Sequence, residues 1–341
     1  MVSDFLKCLA VLASALLIGA VGSASAATKA EQTIGLGNAS NSYPFVVFAN
    51  TDLQQTSSSI ERAVVITHGI KRNADDYYAT GLKLLSNAQV APGGTLLLAP
   101  DFLEKSDALA SSNLPLWHKG SWIQGEASTL GHSGVTSFQA LDDIVGYLSD
   151  RKRFPALKEI VLIGHSAGAQ LMQRYAVFNN QDAALQHVGI AMRYVISSPS
   201  SYVYFDPSRP QNQGFAPVSS TACADYNQYR YGLDQPPAYL KAQNLTAQQL
   251  FKRYASRNVT YLVGADDTDP NHRVLDKSCG AEEQGDSRVA RQLNYVGYEQ
   301  FLAQKWQIAV HHPQFEVPGV AHDANGIYGS QIAAQRLFPT H

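Results

Sequence analysis

The pentapeptide Gly164-His165-Ser166-Ala167-Gly168 reads G-x-S-x-G, and that pattern suits one chemistry. A serine hydroxyl is a weak nucleophile at neutral pH until a neighbouring base takes its proton. The run Ile160-Val161-Leu162-Ile163 before it predicts a strand, and the helical period from Ala167 predicts a helix after it. A strand that turns this sharply into a helix needs small flanking residues, and the serine side chain then stands clear of the sheet. The Ala167 N–H falls at a helix N-terminus, aimed where an oxyanion would form. Gly131-His132-Ser133-Gly134 looks similar, but Val135 follows and no apolar strand precedes it. Ser133 therefore reads as a turn residue.

A serine nucleophile needs a base and an acid, which in this topology follow it in the order acid, then histidine. Five histidines qualify: His272, His311, His312, His322 and His341. His272 comes only a few residues after the acid candidates. His311 and His312 precede the predicted strand Phe315–Val317 and so sit at its wrong end, and His341 is terminal. His322 follows that strand in Pro318-Gly319-Val320-Ala321-His322-Asp323, at the carboxyl end where sites of open α/β sheets lie. The acid is expected after the strand Val259–Val263, in Gly264-Ala265-Asp266-Asp267-Thr268-Asp269. Asp267, three residues past the glycine, is preferred on loop geometry, with Asp269 and Asp266 left open. A calcium loop starting at Asp267 fits poorly, because His272 and Ser278 stand where glycine and glutamate are required. No metal is expected. The second oxyanion donor is expected in His68-Gly69-Ile70-Lys71, with Ile70 first and Lys71 second.

These residues need a scaffold. Strands are predicted at Phe45–Phe48, Ala63–Thr67, Thr95–Ala99, Glu159–Ile163, Tyr194–Ser197, Val259–Val263 and Phe315–Val317. Continuous Val/Ile/Leu runs among them suit a parallel sheet buried on both faces. Helices are predicted between them, at 136–149 with a Thr136-x-x-Gln139 start signal, and at Asn73–Ser86, Ala167–Phe178, Ala247–Arg257, Ser287–Lys305 and Ser330–Leu337. This alternation predicts a mostly parallel sheet with helices on both faces. From Ser198 to about Tyr239 the chain is rich in Pro, Gln, Ser and Tyr. With the helix that follows, about 198–257 reads as a cap or lid over the strand ends.

His68-Gly69-Ile70, Gly164 through Gly168, Gly264-x-x-Asp267 and His322 together resemble the α/β-hydrolase superfamily over roughly residues 45–338. The segment from Ser137-Phe138-Gln139 through Phe154-Pro155 into Gly164–Gln170 resembles secreted bacterial and fungal hydrolases. The resemblance implies an α/β-hydrolase fold with a cap/lid insertion, and a serine esterase or relative with the triad Ser166, His322 and Asp267. It implies no cofactor and supplies no substrate. The rival readings are the same triad acting on an amide, and a non-catalytic binding protein on a hydrolase scaffold.

Composition narrows the rest. Of 341 residues, 26 are Lys or Arg and 28 are Asp or Glu, a formal charge of −2; 45% are hydrophobic and 16% charged. This excludes a disordered chain and argues against nucleic-acid binding. Residues 1–26 read as a signal peptide: Lys7, an apolar run from Leu9 to Val21, then Ala24-Ser25-Ala26. The run is shorter than the roughly 20 residues of a membrane span. Residues 27–341 are then expected as one secreted or periplasmic domain, without stable membrane insertion. Cys223 and Cys279 are expected to pair there. Trp117 and Trp122, on the loop after Thr95–Ala99, and Tyr202 and Tyr204 in the insertion are candidate pocket walls for a small or polymeric ester. Asn38, Asn244 and Asn258 begin N-x-S/T sequons.

Overall fold

The computed structural model describes residues 30–339 except 213 and 220. The expected signal peptide and His341 lie outside the described residues. The main sheet has eight strands: β1 (Glu31–Asn38), β2 (Asn41–Ala49), β3 (Arg62–Thr67), β4 (Thr95–Pro100), β5 (Glu159–His165), β6 (Ala191–Ser197), β7 (Asn258–Gly264) and β8 (Gln314–Val317). Their order is β1-β2-β4-β3-β5-β6-β7-β8. The pairs from β4 through β8 are parallel, and β1–β2 and β2–β4 are antiparallel. The seven predicted strands are all present, each within a slightly longer observed strand. β1 was not expected. Its sequence EQTIGLGN is polar and glycine-bearing, and only Ile34 and Leu36 are buried, as suits an edge strand.

The helices that matter for the site are α1 (Ala74–Asn87), α2 (Ser137–Ser149), α3 (Ala167–Phe178), α4 (Ala247–Ala255), α5 (Arg288–Trp306), α6 (Ala324–Tyr328) and α7 (Gln331–Leu337). The Thr136 hydroxyl accepts from the Gln139 N–H, as the start signal predicts. β3, β4 and β5 are almost wholly buried, because apolar clusters cover both faces of the sheet. The chain runs from β3 outward to β4 on one side, then returns to place β5 on the other side of β3. The carboxyl ends of β3 and β5 therefore flank the crevice where the strand order reverses, the usual place for a ligand site in an open α/β sheet.

The 198–257 segment, expected as a cap or lid, packs against α3 and against loops that follow β4 and β7. All twelve residues of α3 are buried, and this insertion supplies much of their cover. The Val203 N–H donates to Gln173 Oε1 (3.0 Å), Arg174 Nη2 donates to Ser201 Oγ (3.1 Å), and Arg253 donates to the Phe178 carbonyl (2.9 Å). A helix buried all round needs apolar and polar partners on its outer side, and that is the insertion's place. A disulfide joins Cys223 of the insertion to Cys279. No helix among the described residues is long and apolar enough to cross a membrane.

Candidate active site

Ser166 lies between β5 and α3 with φ 57° and ψ −117°, a region that non-glycine residues rarely occupy. The surroundings enforce it. The Ser166 N–H donates to the Ser197 carbonyl (2.9 Å), and the Tyr328 hydroxyl donates to the Gly164 carbonyl (3.0 Å). A Cβ on Gly164 would stand 2.3 Å from the Gly168 carbonyl oxygen, and one on Gly168 would stand 2.5 Å from the carbonyl oxygens of Thr67 and His68. The glycines at both ends of the pentapeptide are thus steric necessities. Gly168→Ala is expected to lose about 3 kcal/mol or more of stability, read from the denaturant midpoint, since backbone cannot yield as a side-chain tip can.

The loop after β3 carries the second oxyanion candidate. His68 is buried and braces the turn: the Phe102 N–H donates to its Nε2 (2.9 Å), and its Nδ1–H donates to the Gly69 carbonyl (2.9 Å). Burial pushes its pKa down to about 4, so it stays neutral. The amides of Ile70 and Ala167 have no backbone acceptor among the described residues. Ala167 follows Ser166 at the first position of α3, and Ile70 lines the same cavity as Ser166 across the β3–β5 crevice.

The loops after β7 and β8 bring up the other two groups. A Cβ on Gly264 would meet the carbonyl oxygens of Val320 and Ala321 at 2.3 and 2.4 Å, so glycine there admits the His322 loop. The Ser166 hydroxyl donates to His322 Nε2 at 2.9 Å, and His322 Nδ1–H donates to Asp267 Oδ2 at 2.8 Å. Of the three acids left open by the sequence, Asp267 is the one that meets the imidazole. Asp269 Oδ1 instead accepts from the Asn271 N–H (2.8 Å). The His165 ring stacks on His322 with centroids 4.7 Å apart. Burial holds the His165 imidazole well below its ordinary range, so it packs as a neutral ring.

Arg288, at the start of α5, is buried against this line. Its Nη1 donates to Asp267 Oδ1 (3.2 Å) and its Nη2 to the Val274 carbonyl (3.0 Å). Burial pushes the Asp267 carboxyl up, but the His322 hydrogen bond and the Arg288 charge outweigh it and hold it below the usual carboxylate range. Burial is also the largest influence on His322. It lowers the imidazole pKa, the Asp267 hydrogen bond raises it, and Arg288 lowers it further, leaving it below 6.5. His322 is therefore a free base at neutral pH with an ionised partner. In Arg288→Gln the cation that opposes His322 protonation is gone, so the acid limb of kcat/KM is expected to move to higher pH. Arg288→Lys should hold the limb nearer its wild-type position. Removing one member of a buried ion pair also costs about 3–5 kcal/mol, which a denaturant titration reads separately.

A cavity of about 420 Å³ opens beside Ser166. Its walls are the β3 loop with Gly69, Ile70 and Lys71; the α1 face with Asn73, Asp76, Tyr77 and Thr80; the β7 loop with His272, Arg273 and Val274; and the stretch from His322 to Asn325. None of these wall residues comes from 198–257. The four aromatic residues expected to line a pocket do not reach it. Trp117 and Trp122 are buried in the core, with Trp122 stacked on Phe102 (5.5 Å) and edge-on to His68 (4.8 Å). Tyr202 and Tyr204 are also buried, packed on Tyr295 and Tyr298 of α5 at 4.3 Å each. Aromatic enrichment in a loop marks a large apolar payload, and here α5 and the underside of the β3 loop take it up. The α1 and β7-loop walls carried no motif in the sequence, and neither did Arg288.

No protein-family model matches the chain, and no curated protein matches it. Among solved structures, the chain is similar to poly(aspartic acid) hydrolase-1 from Sphingomonas sp. KT-1, with TM-score 0.60 and 19% identity over 89% of this chain and 97% of that one. It is similar also to the poly(3-hydroxybutyrate) depolymerase LpqC from Bordetella parapertussis, with TM-score 0.62 and 21% identity over 90% of each chain. The fold is therefore shared across nearly the whole length of both, at low identity.

Proposed function

We propose, from the α/β-hydrolase fold that this chain adopts, that it is a serine hydrolase cleaving carboxylic esters. The observation that carries the reading is the unbroken line Ser166 Oγ, His322, Asp267, at 2.9 and 2.8 Å, on the carboxyl edge of the sheet. Ser166 Oγ attacks the ester carbonyl while His322 Nε2 takes its proton. The developing oxyanion is held by the N–H groups of Ala167 and Ile70. The C–O bond to the alcohol breaks, and His322 returns the proton to the departing oxygen, leaving an acyl-enzyme. Water then attacks, giving its proton to His322, and the acid leaves as Ser166 is reprotonated. Asp267 stays ionised and orients the imidazole. The name of one neighbour, a poly(3-hydroxybutyrate) depolymerase, and cavity walls to which the insertion adds nothing, support an oligomeric or polymeric ester as substrate, whereas the polymer in the other neighbour's name is linked by amides. The disulfide and the 1–26 segment support export.

Hydrolysis of p-nitrophenyl esters from acetate to a long acyl chain tests the reading. Cleavage is expected, with kcat/KM falling on the acid side through a pKa below 6.5 because His322 is held below that value. Folded wild-type protein with no activity on any ester of the series contradicts it.

A further inference from the structure

We propose that the substrate of this site carries a free carboxylate, recognised by Lys71 and Arg273; the inference rests on the serine-hydrolase reading above. Both side chains line the cavity beside Ser166 and are exposed. Lys71 is on the loop after β3 and Arg273 on the loop after β7. These strands stand on opposite sides of β5 in the sheet, so the two cations bracket the nucleophile.

Neither cation is neutralised from within. Among the described residues, no carboxylate lies within 4.0 Å of either. The neighbouring Arg72, by contrast, pairs with Asp107 at 2.6 Å and Glu104 at 3.4 Å. The cavity also has two carboxylates, but both are committed to helix starts. Asp323 caps α6, with Oδ1 accepting from the Asn325 N–H (3.1 Å) and Oδ2 from the Gly326 N–H (2.9 Å). Asp76 lies in the first turn of α1 and accepts from Asn73 Nδ2 (2.7 Å). Carboxylates at helix N-termini are already stabilised there. Each cation also adjoins an exposed apolar side chain at the mouth, Ile70 beside Lys71 and Val274 beside Arg273, 38% and 37% exposed. An apolar stem ending in an anionic head matches both dipeptides. The class is that of aliphatic monoesters of dicarboxylic acids, and of oligoesters of hydroxy acids with a free acid end.

Two matched pairs of probes test this. Mono-p-nitrophenyl adipate against p-nitrophenyl methyl adipate places the carboxylate on the acyl side. 4-Acetoxybenzoate against methyl 4-acetoxybenzoate places it on the leaving side. In at least one pair the acid form is expected to have about twofold to fivefold higher kcat/KM, as one partly solvated ion pair would give. That ratio should shrink with added salt and approach one in a Lys71→Gln, Arg273→Gln double variant. Each ratio is taken within one variant, so general damage cancels. Ratios of one or less in both pairs, with the neutral esters cleaved in a Ser166-dependent way, overturn the carboxylate inference and leave the hydrolase reading standing. A ratio that survives in the double variant overturns its assignment to these two residues. No cleavage of any probe overturns both readings.

Discussion

Ser166→Ala is expected to lower kcat on any cleaved ester by about 10⁴-fold or more while leaving the fold intact. Triad serine removal abolishes the covalent route and leaves only what the oxyanion donors and binding can do. The structure gives a reason for the clean separation. Among the described residues, Ser166 Oγ hydrogen-bonds to His322 Nε2 alone, whereas the strained turn is held by backbone contacts at Ser197, Gly164 and Gly168. Alanine removes the hydroxyl and none of those. Steady-state kinetics beside a thermal or denaturant unfolding curve checks both halves. Residual activity within tenfold of wild type would place the nucleophile elsewhere.

Asp267→Asn is expected to cost about 10⁴-fold in kcat. An amide donates where the carboxylate accepted, so it favours the His322 tautomer with the proton on Nε2, which cannot take the serine proton. The change also leaves the buried Arg288 guanidinium without its charge partner, so a loss of several kcal/mol of stability should accompany it. Asp269→Asn and Asp266→Asn are the controls. Both residues lie on the same loop, and neither touches His322 among the described residues. Near-wild-type rates are expected for both. A profile in which Asp269→Asn rather than Asp267→Asn loses activity would contradict the geometry at 2.8 Å.

The contrast between these acids shows how the site could be read from sequence and where that reading stopped. G-x-S-x-G was legible because its constraint is steric and local: a strand, a forced turn and a helix in immediate succession. His322 was legible through topology, since strand ends decide which loops can meet. Asp267 was legible only as the best of three, because a difference of one or two residues in a loop alters side-chain direction without altering composition. The cavity walls were not legible. Tyr77, Thr80 and Asp76 sit on α1 at spacings set by helix geometry, and that spacing looks the same whether a face meets a cavity or solvent. Arg288 looked like any arginine at a helix start; its role depends on β7 and α5 packing together. The aromatic residues misled because Trp and Tyr are as much core residues as binding residues, and composition cannot tell a buried ring from a pocket wall. The 198–257 segment was read as a lid because it is long and irregular. In the structure it packs on α3, a helix buried on every side.

The most direct test is covalent. Intact-mass analysis after treatment with an organophosphonate, followed by peptide mapping, reads which hydroxyl is activated. The account predicts one adduct per chain, on Ser166, absent in Ser166→Ala and formed much more slowly in His322→Ala. Folded protein that takes up no label, or takes it up on another residue while hydrolysing esters, would contradict the assignment of Ser166 as the nucleophile.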